Sequence, residues 1–260
     1  MAQLESVPQR SPLWLTPDWP APARVRALST LRGGGVSEAP YASLNLGDHV
    51  GDAAAAVAEN RRSLRAAAGL PGEPAWLAQA HGICVRDLDS STPPAGPTGP
   101  ADAAVTRLPN RVCAILTADC LPVLLAADSG DRAGAAHAGW RGLAAGVIEA
   151  TVKALGGSPR ELLAWLGPAI GPRHFEIGAE VRDELLRGDP AAEAAFEPNA
   201  RGRFMADLYA LARSRLARLG IERIYGGTAC TYTEEDKYFS HRRDGTTGRQ
   251  ATLIWLDGYS

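Results

Sequence analysis

Two reactive side chains, Cys120 and His137, flank a segment of the sequence that reads as a β-hairpin. The turn is Asp128-Ser129-Gly130-Asp131, whose central pair suits a two-residue loop. With Asp128 facing Asp131, Pro122 faces His137 and Cys120 faces Gly139. That register puts sulfur and imidazole within diagonal cross-strand reach. A helix opens directly afterwards, near Arg141, so its positive end points at the same spot. A thiol, an imidazole and a helix start in one place suit a metal site or an activated nucleophile.

His81 is the third candidate. His81, Cys120 and His137 each sit at a predicted strand end, where side chains can converge. Two imidazoles and one thiolate make an open site for a borderline-soft ion such as Zn²⁺, with a fourth position left for water or substrate. The spacings match no short zinc motif, so a buried cysteine beside two hydrogen-bonded histidines is the competing reading. Gly82, Gly139 and Gly142 flank the candidates and allow close approach. Asp119 is placed to orient an imidazole from behind. The helix start and the Arg141 guanidinium favour an anion such as phosphate and lower the pKa of Cys120; a solvated Arg141 is the alternative. Of the other histidines, His49 reads as a loop hydrogen-bonder, His174 as structural, and His241 as part of a charged loop. Cys84 and Cys113 alternate with apolar residues and are expected to pack inside strands; Cys230 is ambiguous.

The elements that must position these groups are mixed in order. Residues 1–22 hold five prolines and two tryptophans and read as an extended lead-in, which sets residues 1–24 apart from a single catalytic domain over 25–260. Strands are expected at 25–29, 76–79, 83–88, 103–106, 112–117, 123–127, 132–137, 164–166, 224–228 and 251–256. Helices are expected from Asp52, as N-cap, to about Ala68, and over 142–155, 179–186 and 207–219. Residues 89–101 form a Ser/Thr/Pro/Gly loop, the likeliest flexible segment. Strict βαβ alternation is missing, which favours α+β or a layered α/β fold over a doubly wound sheet.

The chain has 260 residues, 45% hydrophobic and 22% charged, with a formal net charge of −2. It is long enough for a large core and has no basic field for nucleic acid or anionic lipid. The first residues lack an apolar signal region, and no apolar run reaches membrane-spanning length. The four cysteines form no Cys-x-x-Cys pair and are expected to be reduced thiols. A cytoplasmic enzyme or binding protein fits these features.

Several blocks occur in order: Arg32-Gly33-Gly34-Gly35-Val36-Ser37 with Pro40-Tyr41-Ala42-Ser43-Leu44-Asn45-Leu46-Gly47; Gln79-Ala80-His81-Gly82; Thr117-Ala118-Asp119-Cys120; Ala136-His137-Ala138-Gly139-Trp140-Arg141-Gly142; and Phe239-Ser240-His241-Arg242-Arg243-Asp244-Gly245 with Thr247-Gly248-Arg249. Together they resemble the YfiH-type family, also filed under polyphenol oxidoreductase (laccase) and purine nucleoside phosphorylase. Ala80 departs from the family's Gln-Val-His-Gly. The resemblance implies a layered mixed-sheet sandwich with flanking helices, related to bacterial cysteine-dependent deamidating toxins. It implies that His81, Cys120 and His137 are the zinc-binding and catalytic triplet. The implied activity is phosphorolysis of adenosine, inosine or methylthioadenosine, with adenosine deamination at the same site. Arg32, Arg61, Arg141 and Arg242 are candidates to neutralise phosphate, and Ser43 and Asn45 to contact ribose or base. The implied partners are purine nucleosides and phosphate, without nucleic acid or membrane, on a monomer or small homo-oligomer.

The family's older label, copper-dependent phenol oxidation, conflicts with ligand counting. Coupled copper centres need on the order of ten imidazoles, and the chain has five histidines. Copper still competes with zinc for the triplet itself. A second enzyme reading makes Cys120 a nucleophile activated by His137 and oriented by His81, acting on an amide such as a cell-wall precursor. A non-enzymatic binding or redox-sensing protein is a third reading, with no exposed amphipathic stretch or repeat to favour it.

Overall fold

Strand Leu121–Ala127 is buried along its whole length, and it is apolar on both faces because both are covered. Leu121, Val123, Leu125 and Ala127 pack toward a layer of helices. Leu124 and Ala126 pack toward a second sheet. The same alternation runs through Ala133–Ala138, where Ala136 and Ala138 meet the helices and Ala133 and Ala135 meet the second sheet. Side chains on a strand point to opposite faces in turn, so a sheet covered on both sides needs continuous apolar runs.

The computed structural model describes residues 13–90 and 99–258. Its central six-stranded sheet runs, edge to edge, Arg223–Gly226, Leu162–Leu166, Leu121–Ala127, Ala133–Ala138, Ala103–Thr106 and Val85–Asp87. The five-stranded sheet on one face runs Trp14–Leu15, Val25–Thr30, Gln250–Leu256, Cys113–Thr117 and Ala75–Trp76. Helix Ala54–Ala67 covers the far side of that sheet with Leu64, against Leu28, Leu116 and Leu253. Helices Trp140–Ala145, Val147–Leu155, Ala179–Gly188 and Leu208–Arg218 lie on the other face of the six-stranded sheet. A small three-stranded sheet, Glu176–Ile177, Phe204–Ala206 and Phe196–Pro198, completes that side. The layered mixed-sheet sandwich is therefore the fold. Among the described residues no helix is long and apolar enough to cross a membrane.

The hairpin register is as expected: Pro122 pairs with His137 and Leu121 with Ala138. Gly130 takes a φ of 73° in the turn, where a side chain is disfavoured. Other expectations shift. The predicted 142–155 helix is two helices, divided at Gly146 with φ 99°, a left-handed residue that ends one helix and starts the next. Asp52 does not cap helix Ala54–Ala67; the N-cap is Ala53, without a side-chain cap. Asp52 instead accepts hydrogen bonds from Ser37 Oγ at 2.6 Å and Asn45 Nδ2 at 2.8 Å, tying the glycine-rich loop together. Strands at 76–79 and 83–88 shrink to Ala75–Trp76 and Val85–Asp87, edge strands whose residues 77–84 become the loop that carries His81. Cys84 consequently lies exposed rather than inside a strand, while Cys113 is buried. The charged loop near His241 contains a short helix, His241–Asp244, capped by Ser240. The lead-in supplies the edge strand Trp14–Leu15; residues 1–12 lie outside the described residues, as do 91–98 of the predicted flexible loop.

Leu124, fully buried between the two sheets, is expected to cost about 3 kcal/mol as Leu124→Ala, read from the denaturation midpoint at unchanged slope.

Candidate active site and metal centre

The strand pairing sets Ala103 opposite Ala136, which puts Asp102 opposite His137 at the rim of the inter-sheet layer. The His137 amide donates to the Asp102 carbonyl at 2.7 Å. Asp102 Oδ1 is 2.8 Å from His137 Nδ1. The same carboxylate accepts the amides of Ala80 at 3.1 Å, His81 at 2.9 Å and Gly82 at 2.7 Å. One side chain, 1% exposed, therefore orients one candidate imidazole and folds the loop that presents the other. His81 has φ 60°, a strained position for a non-glycine residue, and the three amides gathered on Asp102 hold it there. Burial pushes the Asp102 carboxyl up, but the His137 contact and the Gly82 and Ala80 amides outweigh it and hold it below the usual range.

The ligating atoms of His81, Cys120 and His137 all lie within 4.8 Å of one another. Cys120 Sγ is 3.9 Å from His81 Nε2, and the two imidazole rings meet edge to face at 4.7 Å between centroids. Gly139 forms the floor. A Cβ there would lie 2.9 Å from Cys120 Sγ, 3.0 Å from His81 Cδ2 and 3.5 Å from His137 Nε2, so all three groups converge on space that only glycine leaves free. Nitrogen and sulfur ligands of one tetrahedral zinc sit roughly 3.5 Å apart, so the donor set and its spacing fit such an ion after small side-chain movements. Asp102 supplies the partner that metal-bound imidazoles ordinarily have on their other nitrogen.

Burial pushes the Cys120 thiol up, but the His137 charge and hydrogen bond, then His81, bring it down to about 6. Burial pushes His137 down, but the Cys120 charge and the Asp102 hydrogen bond raise it to about 9. The metal-free pair is thus a thiolate beside an imidazolium. The helix at Trp140 has only six residues, so its dipole contributes less than the sequence suggests.

Asp119 departs from expectation. With φ 94°, it turns away from the imidazoles and accepts the Thr231 hydroxyl at 2.6 Å and the Arg242 amide at 2.6 Å. It ties the C-terminal segments to the residue before Cys120; Asp102 does the orienting assigned to Asp119. Asn45 is taken up inside the protein. It is fully buried, its Nδ2 donates to Gly47 O and Asp52, and its Oδ1 accepts from Gly47 and Arg249 amides, so it braces the loop. Ser43 Oγ accepts the Gly35 amide. Arg32 donates to Ala42 O and Glu235 O and lies over Phe239. Arg61 donates Nε and Nη2 to Leu46 O and lies over Trp76. Arg242 donates to Glu176 O, and Arg141 lies over Trp140. None of these groups has a hydrogen bond to the triplet. His174 stacks on Tyr232, and His241 contacts Gly245 O. Among the described residues the triplet forms the one cluster of three such donors.

A family model described as multi-copper polyphenol oxidoreductase laccase matches residues 26–257. The chain belongs to this family. It is 54% identical over 244 residues to a purine nucleoside phosphorylase of Pseudomonas aeruginosa, covering 94% of this chain and 98% of that one. It is 52% identical over 242 residues to purine nucleoside phosphorylase YfiH of Escherichia coli, covering 93% and 98%. A Neisseria meningitidis crystal structure superposes with TM-score 0.90 at 50% identity, covering 95% and 100%. YlmD from Geobacillus stearothermophilus superposes with TM-score 0.86 at 32% identity, covering 96% and 98%. The family's copper description meets a three-donor cluster in this member, too few for a coupled copper centre.

Asp102 was missed in the sequence, although a lone acid opening the apolar run Ala103–Val105 was a signal. Its role gives two expectations. Alkylation of Cys120 in metal-free protein should fall off as pH drops through about 6, because the thiolate is the reactive form; Asp102→Asn should move that midpoint upward, since His137 then holds its proton less firmly. Gly139 has φ −63°, which alanine tolerates, so the cost of Gly139→Ala comes from displacing Cys120 and His81: melting should fall modestly, while zinc binding weakens about tenfold or more, measured by metal titration.

Proposed function

We propose that the chain cleaves purine nucleosides with phosphate, acting on adenosine, inosine and methylthioadenosine, and that it deaminates adenosine at the same centre. The observation that carries this reading is the convergence of Cys120, His81 and His137 on the space above Gly139, in a chain that matches named purine nucleoside phosphorylases along nearly their whole length. Residues 25–260 act as one catalytic unit, working in the cytoplasm as a monomer or small homo-oligomer.

In phosphorolysis the bond from C1′ to N9 breaks and its electrons leave with the purine, while a phosphate oxygen bonds to C1′. In deamination a water oxygen bonds to C6 and ammonia departs. His81, Cys120 and His137 would hold Zn²⁺, which supplies Lewis acidity when bound; copper fits the same donors. Asp102 accepts the Nδ1 proton of His137, so Nε2 is the nitrogen offered to the shared space. The three amides on Asp102 fix His81 opposite it. Exposed His81 marks the open side from which a nucleoside and water enter. Pre-set donors of this kind need no rearrangement during the reaction.

A second reading has one observation of its own: Asp102, His137 and Cys120 are arrayed as acid, imidazole and thiol. In that reading the thiolate attacks an amide carbonyl, the amine leaves with the His137 proton, and water hydrolyses the thioester. A cell-wall precursor or a side-chain amide would be the substrate. Alkylation of Cys120 that added zinc does not slow would favour this reading.

Purified protein with zinc should convert inosine and phosphate to hypoxanthine and ribose-1-phosphate, and adenosine alone to inosine, followed by chromatography. Cys120→Ala and His137→Ala should each lower both rates by about a hundredfold or more. Absence of adenine, hypoxanthine and inosine from metal-replete protein would remove the proposal.

A further inference from the structure

The Arg249 guanidinium is partly buried, close enough to Cys120 for the two charges to interact. Its stem passes over Gly47, where a Cβ would lie 2.8 Å from Arg249 Cγ. Its amide donates to Asn45 Oδ1 at 2.9 Å, and its carbonyl accepts the Leu46 amide at 3.1 Å. The backbone is thus clamped between the glycine-rich loop and strand Gln250–Leu256. At the other end, Nη1 donates to Thr247 O and Gly248 O, each at 3.0 Å. Nε and Nη2 have no acceptor among the described residues, and no carboxylate there lies within ion-pairing distance. The free edge of the fork is the edge that grips a tetrahedral oxyanion through two parallel hydrogen bonds.

The competing arginines differ from it: Arg141 is exposed and lies over Trp140. Arg61 and Arg32 each direct Nε and Nη2 at a backbone carbonyl. Arg242 leans on Phe175 and Glu176 O, beside the small sheet. Burial holds the Arg249 guanidinium below its ordinary pKa, and the acidic groups whose charges reach it are Cys120 and Asp119. Asp119 already accepts two hydrogen bonds. Arg61 and His49 stand on the same side, since His49 feels the charges of both Arg249 and Arg61; the acids facing them are Asp48, beside His49 and Arg61, and Glu73, whose charge reaches Arg61. A partly buried cation with no carboxylate in ion-pairing distance is costly, and its open edge is free to take an anion.

We propose that Arg249 is the subsite for the inorganic phosphate co-substrate, gripping it through Nε and Nη2 beside the Cys120 centre. The assignment rests on the phosphorolysis reading for its co-substrate and replaces Arg32, Arg61, Arg141 and Arg242 as the principal phosphate ligand.

Calorimetric titration of inorganic phosphate into the purified full chain should show binding that Arg249→Gln weakens about tenfold or more, with partial recovery in Arg249→Lys. In inosine phosphorolysis the same Arg249→Gln change should raise KM for phosphate by a similar factor while KM for inosine stays within about threefold. Phosphate binding unchanged in Arg249→Gln, or equal rises in both KM values, would overturn the assignment. So would an upward shift of the Cys120 alkylation midpoint with phosphate binding intact, because Arg249 would then serve only as the thiolate's counter-ion. If no nucleoside is cleaved but phosphate binding still depends on Arg249, the phosphorolysis reading falls and the anion subsite stands.

Discussion

A single buried carboxylate holds the site together. Asp102 accepts three successive backbone amides and faces the Nδ1 atom of His137. Each bond to a charged acceptor contributes roughly 1.5–3 kcal/mol, enough to offset a left-handed histidine at about 1–2 kcal/mol. Without that acceptor, the amides of residues 80–82 would have no common partner, and His81 would lose the geometry that faces it toward Cys120. The site's shape therefore follows from where a strand pairing places one acid.

The two-sheet stack gives that acid its surroundings. Inter-sheet positions on the central strands are small and apolar, with Ala104, Ala126, Ala133 and Ala135 fully buried. Following the same side of the strands to their ends leads to Asp102, His137 and Cys120, where the sandwich opens. The site is thus the polar rim of an apolar layer. There the lowered dielectric strengthens the attraction between sulfur and imidazole, while His81 remains reachable from solvent. The backbone departs from ordinary geometry at His81 and Asp119, both with positive φ, one within the metal-type cluster and the other adjoining Cys120. Strain collected around a functional centre persists where surrounding bonds over-determine it, and the Asp102 and Asp119 carboxylates provide those bonds.

The two carboxylates divide the work in a way their neighbours in sequence do not suggest. Asp119 adjoins Cys120 and yet faces the C-terminal segments through Thr231 and Arg242. Asp102 is remote in sequence and yet adjoins His137 across a strand pair. The glycine-rich loop is organised by a third set, in which Asp52, Asn45 and Asn60 exchange hydrogen bonds with Ser37, Gly47 and the backbone of residues 43–45. In the chain Asn45 reads as a ligand contact and Asp52 as a helix cap, and in the fold both belong to the brace that holds the Arg249 backbone.

By itself the sequence determined the hairpin register, because a two-residue turn fixes which residues face each other on both strands, and so it determined that Cys120 and His137 are neighbours. It determined the inward strands and the amphipathic helix Ala54–Ala67, because burial imposes a period that composition displays. Only the tertiary structure decided what surrounds the pair. Which acid orients His137 depends on strand Ala103–Thr106 adding to the hairpin's edge, a pairing of segments far apart in the chain that no local pattern encodes. The exposure of Cys84, the break at Gly146 and the internal use of Asn45 were decided in the same way. Side-chain hydrogen-bonding capacity is visible in a sequence, but whether the backbone or a ligand takes it up depends on which loops are brought within about 3 Å.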